Sequence, residues 1–253
     1  MRVFCNDLYV HDNNNNYIGY KVEMYKYLGD KRFEKAMRKF GSDLMHSMCH
    51  YLKVDSHISA NARLVGSARR KLIMRNGNGP VDLDYNLEIV KCNDSLNGRF
   101  IKDSVIKALN KALHDRDLDN CEDSKSAVTT KGIYFPDIPN SNFSIDICII
   151  KVEEDYYGRE RYYRLIHQKT GYVNMDRYYW NEGPNSHNIR SKAEELHEAG
   201  KWNDVRTRYA ELKNMYLRRN DYDHPSFICY IQAVNDVYNG YKTSHLRYAT
   251  INF

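Results

Sequence analysis

Three features that would assign a protein to a particular class are missing from this sequence. The six cysteines are scattered through 253 residues, without a Cys-x-x-Cys pair or a spacing typical of zinc ligands or of a disulfide framework. No apolar run approaches the roughly 20 residues that span a bilayer, and residues 1–16 lack the apolar stretch of a secretory signal. We therefore expect free thiols, a cytoplasmic location and no contact with a membrane.

A large excess of charge of one sign is also missing. The chain has 38 basic and 33 acidic residues, a net charge of +5, so its composition does not require a nucleic-acid partner. The basic residues are nevertheless unevenly distributed. They form two clusters, one made of Arg63, Arg69, Arg70, Lys71 and Arg75, the other of Arg206, Arg208, Lys213, Arg218 and Arg219. Each cluster is either a solvated helix face or a surface for a phosphate-bearing partner, and the sequence leaves both interpretations open.

Hydrophobic periodicity divides the chain into an α/β part and a helical part, within a length that fits one large domain or two small ones. Apolar residues recur every three or four positions over 31–53, which predicts an amphipathic helix. Residues 11–19 have the composition of a loop, and Ser191 with Glu194 forms a capping box that would begin a helix. We expect a first domain at 1–170, containing the helix at 31–53, and a helical domain at 171–253. The predicted strands cover 60–66, 81–90, 126–135, 143–151 and 161–169. Residues 67–74 form the start of a predicted helix, and further helices cover 101–114, 202–219 and the residues after Pro225.

One possible metal site lies within the first predicted helix. His46, Cys49 and His50 are spaced so that they could share a helix face and bind a metal. No fourth ligand is suggested nearby, and ordinary packing is the favoured interpretation of these residues.

The sequence RLVGSARRKLIMRNGNGPVDLDYNLEIV, residues 63–90, combines a Gly-Ser pair with two aspartates one residue apart. Because side chains alternate along a strand, Asp82 and Asp84 point to the same face. Asp146 lies in the middle of an almost wholly apolar strand, where an unpaired carboxylate would be costly. Three aspartates that converge repel one another unless cations bind between them, and carboxylates are the hard oxygen ligands that Mg²⁺ prefers. The pattern predicts a site for divalent metal.

The Gly66-Ser67 pair precedes the predicted helix that begins within 67–74. Glycine lets a phosphate approach the backbone, and the serine hydroxyl and the amides at a helix start can bind its oxygens. Two metal ions held by aspartates can clamp the attacking and leaving oxygens of a phosphoryl displacement. Together the two motifs predict phosphoryl-transfer chemistry.

These residues resemble the signature of the polymerase-beta-type nucleotidyltransferases. That signature is an apolar residue with Gly-Ser, then Asp-apolar-Asp-apolar, then a later Asp on a neighbouring strand; here it corresponds to Val65-Gly66-Ser67, Asp82-Leu83-Asp84-Tyr85 and Asp146. The spacer between the first two motifs is towards the long end for the family, and Tyr85 is bulky where a smaller aliphatic residue is usual. Neither departure removes a ligand.

The resemblance implies an α+β nucleotidyltransferase fold, a mixed β-sheet flanked by helices, followed by a helical C-terminal half. It implies transfer of a nucleoside monophosphate from an NTP to an acceptor hydroxyl, with two Mg²⁺ or Mn²⁺ ions as cofactors. Asp82 and Asp84 would hold both ions, and Asp146 would help the ion that activates the acceptor and could accept the proton of the acceptor. Gly66 and Ser67 would contact the nucleotide.

The layout is most similar to the oligoadenylate synthase and cyclic GMP-AMP synthase branch of the family. In that branch a C-terminal helix often carries a lysine that meets the triphosphate, which implies this role for Lys213 in ELKNMYLRR. Tyr178, Tyr179 and Trp180 could stack on a base, although core packing is favoured.

The acceptor stays open at this point. It is a nucleotide, an RNA end or a second NTP in the leading interpretation, and a small molecule such as an aminoglycoside, or a protein, in the alternative. A non-catalytic nucleotide-binding module is the remaining possibility. Nothing in the sequence indicates the oligomeric state.

Overall fold

The computed structural model describes residues 9–11, 17–19, 24–94, 97–183, 187–219, 221 and 226–251. The helices are α1 (Lys31–Ser56), α2 (Gly66–Arg69), α3 (Gly98–His114), α4 (His187–Glu198), α5 (Trp202–Arg218) and α6 (Ser226–Ile251). The strands are β1 (Tyr9–His11), β2 (Tyr17–Gly19), β3 (Tyr25–Tyr27), β4 (Ser59–Leu64), β5 (Met74–Asn76), β6 (Val81–Lys91), β7 (Glu122–Asp123), β8 (Val128–Thr129), β9 (Phe143–Glu154), β10 (Glu160–Gln168) and β11 (Arg177–Glu182).

The main sheet is mixed and has the strand order β11-β10-β9-β6-β4, with the short strand β8 also paired to β9 and β7 paired to β8. Strands β6 and β9 are parallel, whereas every other pairing in this sheet is antiparallel. Two separate ribbons pair β1 with β2 and β3 with β5. The α+β fold class, a mixed sheet flanked by helices with a helical C-terminal half, is confirmed.

Helix α1 covers one face of the sheet because its apolar residues fall on one stripe. Phe33, Met37, Leu44, Met48 and Leu52 are buried at helical spacing and belong to the main core cluster. Its first turn is capped by the side chain of Asp30, which accepts a hydrogen bond from the backbone amide of Phe33. The helix continues three residues beyond the predicted end at 53.

The central strands are buried on the helix side and polar on the other. In β6, Val81, Leu83 and Leu87 are at most 2% exposed, while the alternate positions are partly open. Strand β9 follows the same alternation over its first seven residues. The period-two pattern read from the sequence therefore directs the polar side chains of both strands to the face opposite α1.

A second core cluster joins the three C-terminal helices. It includes Leu196 of α4, Val205 and Leu212 of α5 and Val234 of α6, all fully buried. Leu72, which follows α2, packs into this cluster and so ties the Gly-Ser segment to the C-terminal helices. None of the helices in the described ranges is long and apolar enough to cross a bilayer.

Several predicted boundaries were wrong. The helix expected to begin within 67–74 is a single turn, because the chain reverses at Lys71 with φ of 59° and the amide of Leu72 bonds back to Ser67. The strand expected at 126–135 shrinks to β8 and one bridge at Ile133. The Thr130 amide still donates to the Ile145 carbonyl, but the Ile145 amide donates to the Thr130 hydroxyl instead of a backbone carbonyl, which interrupts the ladder.

Three further predictions also need correction or qualification. Ser191 lies inside α4, which already begins at His187, so the capping box does not start this helix. Within the region expected to be a loop, His11 and 17–19 lie in paired strands, while 12–16 fall outside the described residues. Strand β11, which the sequence reading missed, extends the main sheet beyond the boundary placed at 170. The division into domains at that residue stays a prediction.

A network of charged side chains connects Lys102 of α3 with Asp123, His167 and Asp176. Lys102 is 1% exposed, and its Nζ lies 2.7 Å from Asp123 Oδ1 and donates to the Ser124 carbonyl at 2.6 Å. The other Asp123 oxygen lies 2.6 Å from Nδ1 of His167, whose Nε2 lies 2.9 Å from Asp176 Oδ2. The network joins α3 to β7, β10 and the turn before β11.

Replacing the buried cation should destabilise the fold. Lys102→Met removes the buried ammonium group that pairs with Asp123, and breaking a buried pair in this way costs about 3 kcal/mol. Lys107→Met removes an exposed lysine from the same helix and should change the free energy of unfolding by less than about 0.5 kcal/mol. Urea unfolding of both variants measures the difference; equal stabilities would show that the network contributes nothing.

Candidate active site

The two predicted aspartate motifs meet on neighbouring strands. Strands β6 and β9 are parallel and adjacent, and their register places Asp84 directly opposite Asp146 and Asp82 opposite Ser144. Directly opposed residues of paired strands point to the same face. All three aspartates therefore lie on the face that α1 leaves uncovered, with Asp84 and Asp146 on strands about 4.8 Å apart.

Gly66 lies against the Asp84 carboxylate. The amide of Val65 donates to the Asp84 carbonyl at 2.8 Å, which continues the β4–β6 pairing into the Gly-Ser turn. Gly66 has φ of +63°, and a Cβ added there would stand 1.9 Å from Asp84 Oδ2. The position therefore requires glycine for two reasons, the left-handed backbone and the close approach of the carboxylate. The structure brings the Gly-Ser motif and the aspartates together.

Burial and neighbouring carboxylates raise the pKa of Asp84 and of Asp146. Burial, followed by the charges of Asp146 and Asp82, raises the pKa of Asp84 to about 6, against a smaller opposing effect of Arg70 and Arg164. Burial and the Asp82 charge also raise the pKa of Asp146, while a hydrogen bond from Thr129 acts in the opposite direction. Burial and the neighbouring carboxylates both disfavour ionisation on this face.

Two hydroxyl groups orient the outer carboxylates. Ser144 Oγ donates to Asp82 Oδ1 at 2.5 Å, and Thr129 Oγ1 donates to Asp146 Oδ1 at 2.5 Å. The sequence reading missed both residues. Period-two alternation in β9 could have suggested Ser144, which precedes Asp146 by two positions, whereas Thr129 comes from β8, whose pairing no local pattern reveals. In each carboxylate, Oδ2 is the oxygen that these bonds leave free.

The carboxylate oxygens of the three aspartates are chemically suited to bind a hard divalent cation. Carboxylate oxygens are the ligands that Mg²⁺ prefers, and burial together with the charges of Asp146 and Asp82 raises the pKa of Asp84. As they stand, however, no three His, Cys, Asp or Glu side chains in the described ranges are gathered closely enough to hold an ion.

Ser67 is the second residue of the one-turn helix α2. Its carbonyl accepts from the Leu72 amide at 2.8 Å, and its hydroxyl has no protein partner within the described part of the chain. The first amides of a helix also lack acceptors in the helix itself. The turn therefore offers a hydroxyl and backbone amides beside Asp84.

Lys213 of α5 reaches the same region from the C-terminal helices. Its Nζ donates to Ser226 Oγ at 2.9 Å and lies 4.1 Å from the centre of the Tyr25 ring. Burial lowers the pKa of Lys213, and the charges of Cys229 and Asp82 act in the opposite direction. The influence of Asp82 places this ammonium group within electrostatic range of the acidic face.

Arg70 is a further cation near the site. It belongs to the first basic cluster of the sequence, which predicted no specific role for it. Its guanidinium lies 4.3 Å from the centre of the Tyr230 ring in α6, and its charge acts on Asp84. A stacked arginine is held in one orientation and stays charged, which suits it to bind phosphate oxygens. Lys213 and Arg70 thus flank the acidic face with positive charge.

Other candidates from the sequence lie elsewhere. Cys49 packs against the main core and burial raises the pKa of its thiol, whereas His46 and His50 on the same helix are exposed, so the three side chains do not share an environment. Tyr178 and Trp180 pack against the main core, as favoured, while Tyr179 is 41% exposed. The five cysteines within the described ranges are free thiols, and Cys5 lies outside them.

Comparison with solved structures identifies the fold. A c-UMP-AMP synthase, CdnE of Rhodothermus marinus, solved with Apcpp and Upnpp, superposes with a TM-score of 0.51 at 15% identity, covering 82% of this chain and 71% of that one. CdnC of E. coli MS115-1, solved with ATP, gives a TM-score of 0.52 at 16% identity, covering 87% of this chain and 63% of that one. No protein-family model and no curated protein matches the sequence. The chain shares the nucleotidyltransferase fold of these two proteins and spans less than two thirds of CdnC.

The contact between Gly66 and Asp84 can be tested with a matched glycine. Gly66→Ala and Gly158→Ala both place alanine at a positive φ, but only the first meets a neighbouring side chain. We expect Gly66→Ala to lose roughly 1–3 kcal/mol more than Gly158→Ala in denaturant unfolding. Adding Asp84→Ala to Gly66→Ala removes the two atoms that clash most and should recover part of that difference, and no recovery would mean that the clash lies elsewhere.

The raised pKa of Asp84 makes a prediction about stability and pH. A carboxyl group whose pKa is raised in the fold stabilises the protonated protein, so its ionisation destabilises the fold progressively from about pH 4 to about pH 6 and fully above that. In chelator at pH 8, Asp84→Asn should therefore melt no lower than wild type, and relative to wild type it should be less stable at pH 4 than at pH 8. The control Asp103→Asn changes an exposed position on α3. A lower melting temperature for Asp84→Asn at pH 8 would indicate that this carboxylate is a structural ion-pair partner instead.

Proposed function

We propose that this chain is a metal-dependent nucleotidyltransferase that moves a nucleoside monophosphate from an NTP to an acceptor hydroxyl. One observation carries the proposal: the parallel pairing of β6 and β9 places Asp84 beside Asp146, with Gly66 in contact with Asp84. The fold shared with CdnE and CdnC supports it, since both were solved with nucleotides or nucleotide analogues. Among the described residues, no local pattern other than this one combines hard oxygen ligands with a phosphate-binding turn.

The carboxylates and the Gly-Ser turn have separate roles in this reaction. Asp82 and Asp84 would hold two Mg²⁺ or Mn²⁺ ions, with Asp146 completing the site on the acceptor side. When bound, the ions supply a Lewis acid for the triphosphate and lower the pKa of the acceptor hydroxyl. The Ser67 hydroxyl and the turn amides bind phosphate oxygens, and Lys213 adds positive charge opposite them.

The reaction forms a bond between the acceptor oxygen and the α-phosphorus and breaks the bond from that phosphorus to the bridging oxygen. Pyrophosphate leaves with the bonding electron pair. The acceptor proton goes to Asp146 Oδ2, the oxygen that the Thr129 hydroxyl leaves free. A carboxylate whose pKa is raised by burial is a better proton acceptor than an exposed one.

A nucleotide is the acceptor that the comparison favours. CdnE is named as a c-UMP-AMP synthase and was solved with two nucleotide analogues, which supports a second nucleotide as acceptor here. The direct test is incubation of the purified protein with four labelled NTPs and Mg²⁺ or Mn²⁺, with products separated by charge. Products absent from an Asp82→Asn control support the proposal; no metal-dependent product with nucleotides, RNA ends, aminoglycosides or protein acceptors would leave a non-catalytic nucleotide-binding module.

The Ser67 hydroxyl should contribute to nucleotide affinity. A hydrogen bond to a charged oxygen is worth about 1.5–3 kcal/mol, so Ser67→Ala should weaken NTP binding about tenfold or more in calorimetric titration. Ser42→Ala removes an exposed serine from α1 and should leave the affinity unchanged. Equal affinities for the two variants would remove Ser67 from the site.

Loss of the Asp146 carboxylate should lower the rate of nucleotidyl transfer much more than the affinity for NTP. Because the NTP would bind with a metal held by Asp82 and Asp84, Asp146→Asn should retain NTP affinity within about threefold while transfer falls by about 100-fold or more, the lower range for loss of a general base. Equilibrium titration and single-turnover kinetics separate the two quantities. If binding and transfer fall by the same factor, the metal assignments need to be exchanged.

A further inference from the structure

A recess at the edge of the main sheet, here called the basic cleft, is separate from the aspartate face. Its volume is about 1360 Å³, and none of the three aspartates lines it. The amino-terminal turns of α1, the end of β4, the segment from α2 to Lys71, and helices α4 and α5 form its walls. Seven of its lining side chains are cationic and two are acidic. The net charge of the cleft lining is positive, whereas the aspartate face is negatively charged.

Three of those cations are neutralised within the protein. Arg38 pairs with Glu34 at 2.7 Å and Arg190 with Glu194 at 2.9 Å, which uses both acidic residues of the lining. Arg63 pairs with Glu88 at 3.2 Å. These three arginines do not need a ligand to balance their charge.

The remaining four cations have no acidic partner within the described ranges. They are Lys31, Arg69, Lys71 and Arg206, contributed by α1, α2, the turn after α2 and α5. Four unbalanced positive charges that face one recess repel one another in the free protein, and a compact anion would relieve this repulsion. Both basic clusters of the sequence contribute to this set, so the fold joins segments separated by more than a hundred residues.

Two arginines of the cleft are held in place by other contacts. The Arg206 guanidinium lies 4.0 Å from the centre of the Tyr27 ring and donates to the Lys71 carbonyl, while the Tyr27 hydroxyl donates to the Arg206 carbonyl at 2.5 Å. Arg38 donates to the Ala68 carbonyl at 2.6 Å. Donors that are already ordered lose less entropy when a ligand binds.

We propose that the basic cleft binds a small polyphosphate, either a free nucleotide or an inorganic polyphosphate, at a site separate from the aspartates. The charge of such a ligand is compact enough to meet Arg69, Lys71 and Arg206 together. A long nucleic-acid backbone lying through the recess would also pass Glu34 and Glu194, which favours the small ligand. The inference does not depend on the proposed transferase activity, because it uses none of the residues assigned to that activity.

Isothermal titration with inorganic tripolyphosphate, and separately with ATP, tests the proposal on the full chain in EDTA at low ionic strength. EDTA removes the metal that would bind phosphate at the aspartates. The cleft variant is Arg69→Gln/Lys71→Gln, and its matched control is Arg32→Gln/Lys35→Gln, which removes one arginine and one lysine from exposed positions of α1 outside the cleft. Lys213→Gln reports binding at the aspartate face.

We expect tripolyphosphate to bind wild type, the matched control and Lys213→Gln with similar affinity, and the cleft variant at least tenfold more weakly. Binding of ATP but not tripolyphosphate with the same cleft dependence would identify a nucleotide as the ligand. Equal affinity of the cleft variant and the matched control, or an equal loss in Lys213→Gln, would overturn the proposal. So would cleft-dependent binding of a 20-base-pair RNA duplex when neither small ligand binds.

Discussion

The repulsion between Asp84 and Asp146 is the constraint on which the candidate site depends. Their register on adjacent parallel strands holds them opposite each other. Gly66 packs against the Asp84 carboxylate and so prevents it from moving away from Asp146 on that side. Burial, together with the charges of Asp146 and Asp82, raises the pKa of Asp84. A fold that keeps like charges this close without a ligand loses stability, and such an arrangement is typical of sites where a cation or a substrate restores the balance.

The hydrophobic core supplies the stability that offsets this repulsion. On the opposite face of β6 and β9, Leu83, Ile145 and Ile147 are fully buried against α1 and its neighbours. The same alternation that buries these residues directs the aspartates to the open face, so core and site follow from one pattern. Leu72 then attaches the Gly-Ser segment to the C-terminal helices, which bring Lys213 towards the acidic face and hold Arg70 against the Tyr230 ring.

The sequence predicted the parts of this arrangement that depend on local periodicity. Helix α1, the strand with Asp82 and Asp84, and the strand with Asp146 were placed within a few residues of their observed bounds. Convergence of the aspartates followed from the chemistry of like charges and from the resemblance to a family, and the β6–β9 register confirms that they share a face.

What the sequence did not predict depends on contacts between distant segments. Thr129 meets Asp146 through the pairing of a two-residue strand, and Tyr25 meets Lys213 across 188 positions of the chain. The basic cleft is of the same kind, since Arg69 and Arg206 come from separate clusters whose meeting no local pattern encodes. Strand β11 was missed because it follows a turn-rich segment and carries its aromatic residues on both faces.

The central claim is that the three aspartates form a ligand site and not a structural network. The rise in melting temperature that Mg²⁺ adds, relative to EDTA, in the presence of a non-hydrolysable ATP analogue tests it most directly when it is compared between wild type and Asp82→Asn, because binding at the basic cleft needs no metal. A ligand that binds only the folded site raises the melting temperature by mass action, so wild type should gain several degrees and Asp82→Asn much less. Equal shifts in the two proteins would contradict the account, because the nucleotide and metal would then be bound without the carboxylates.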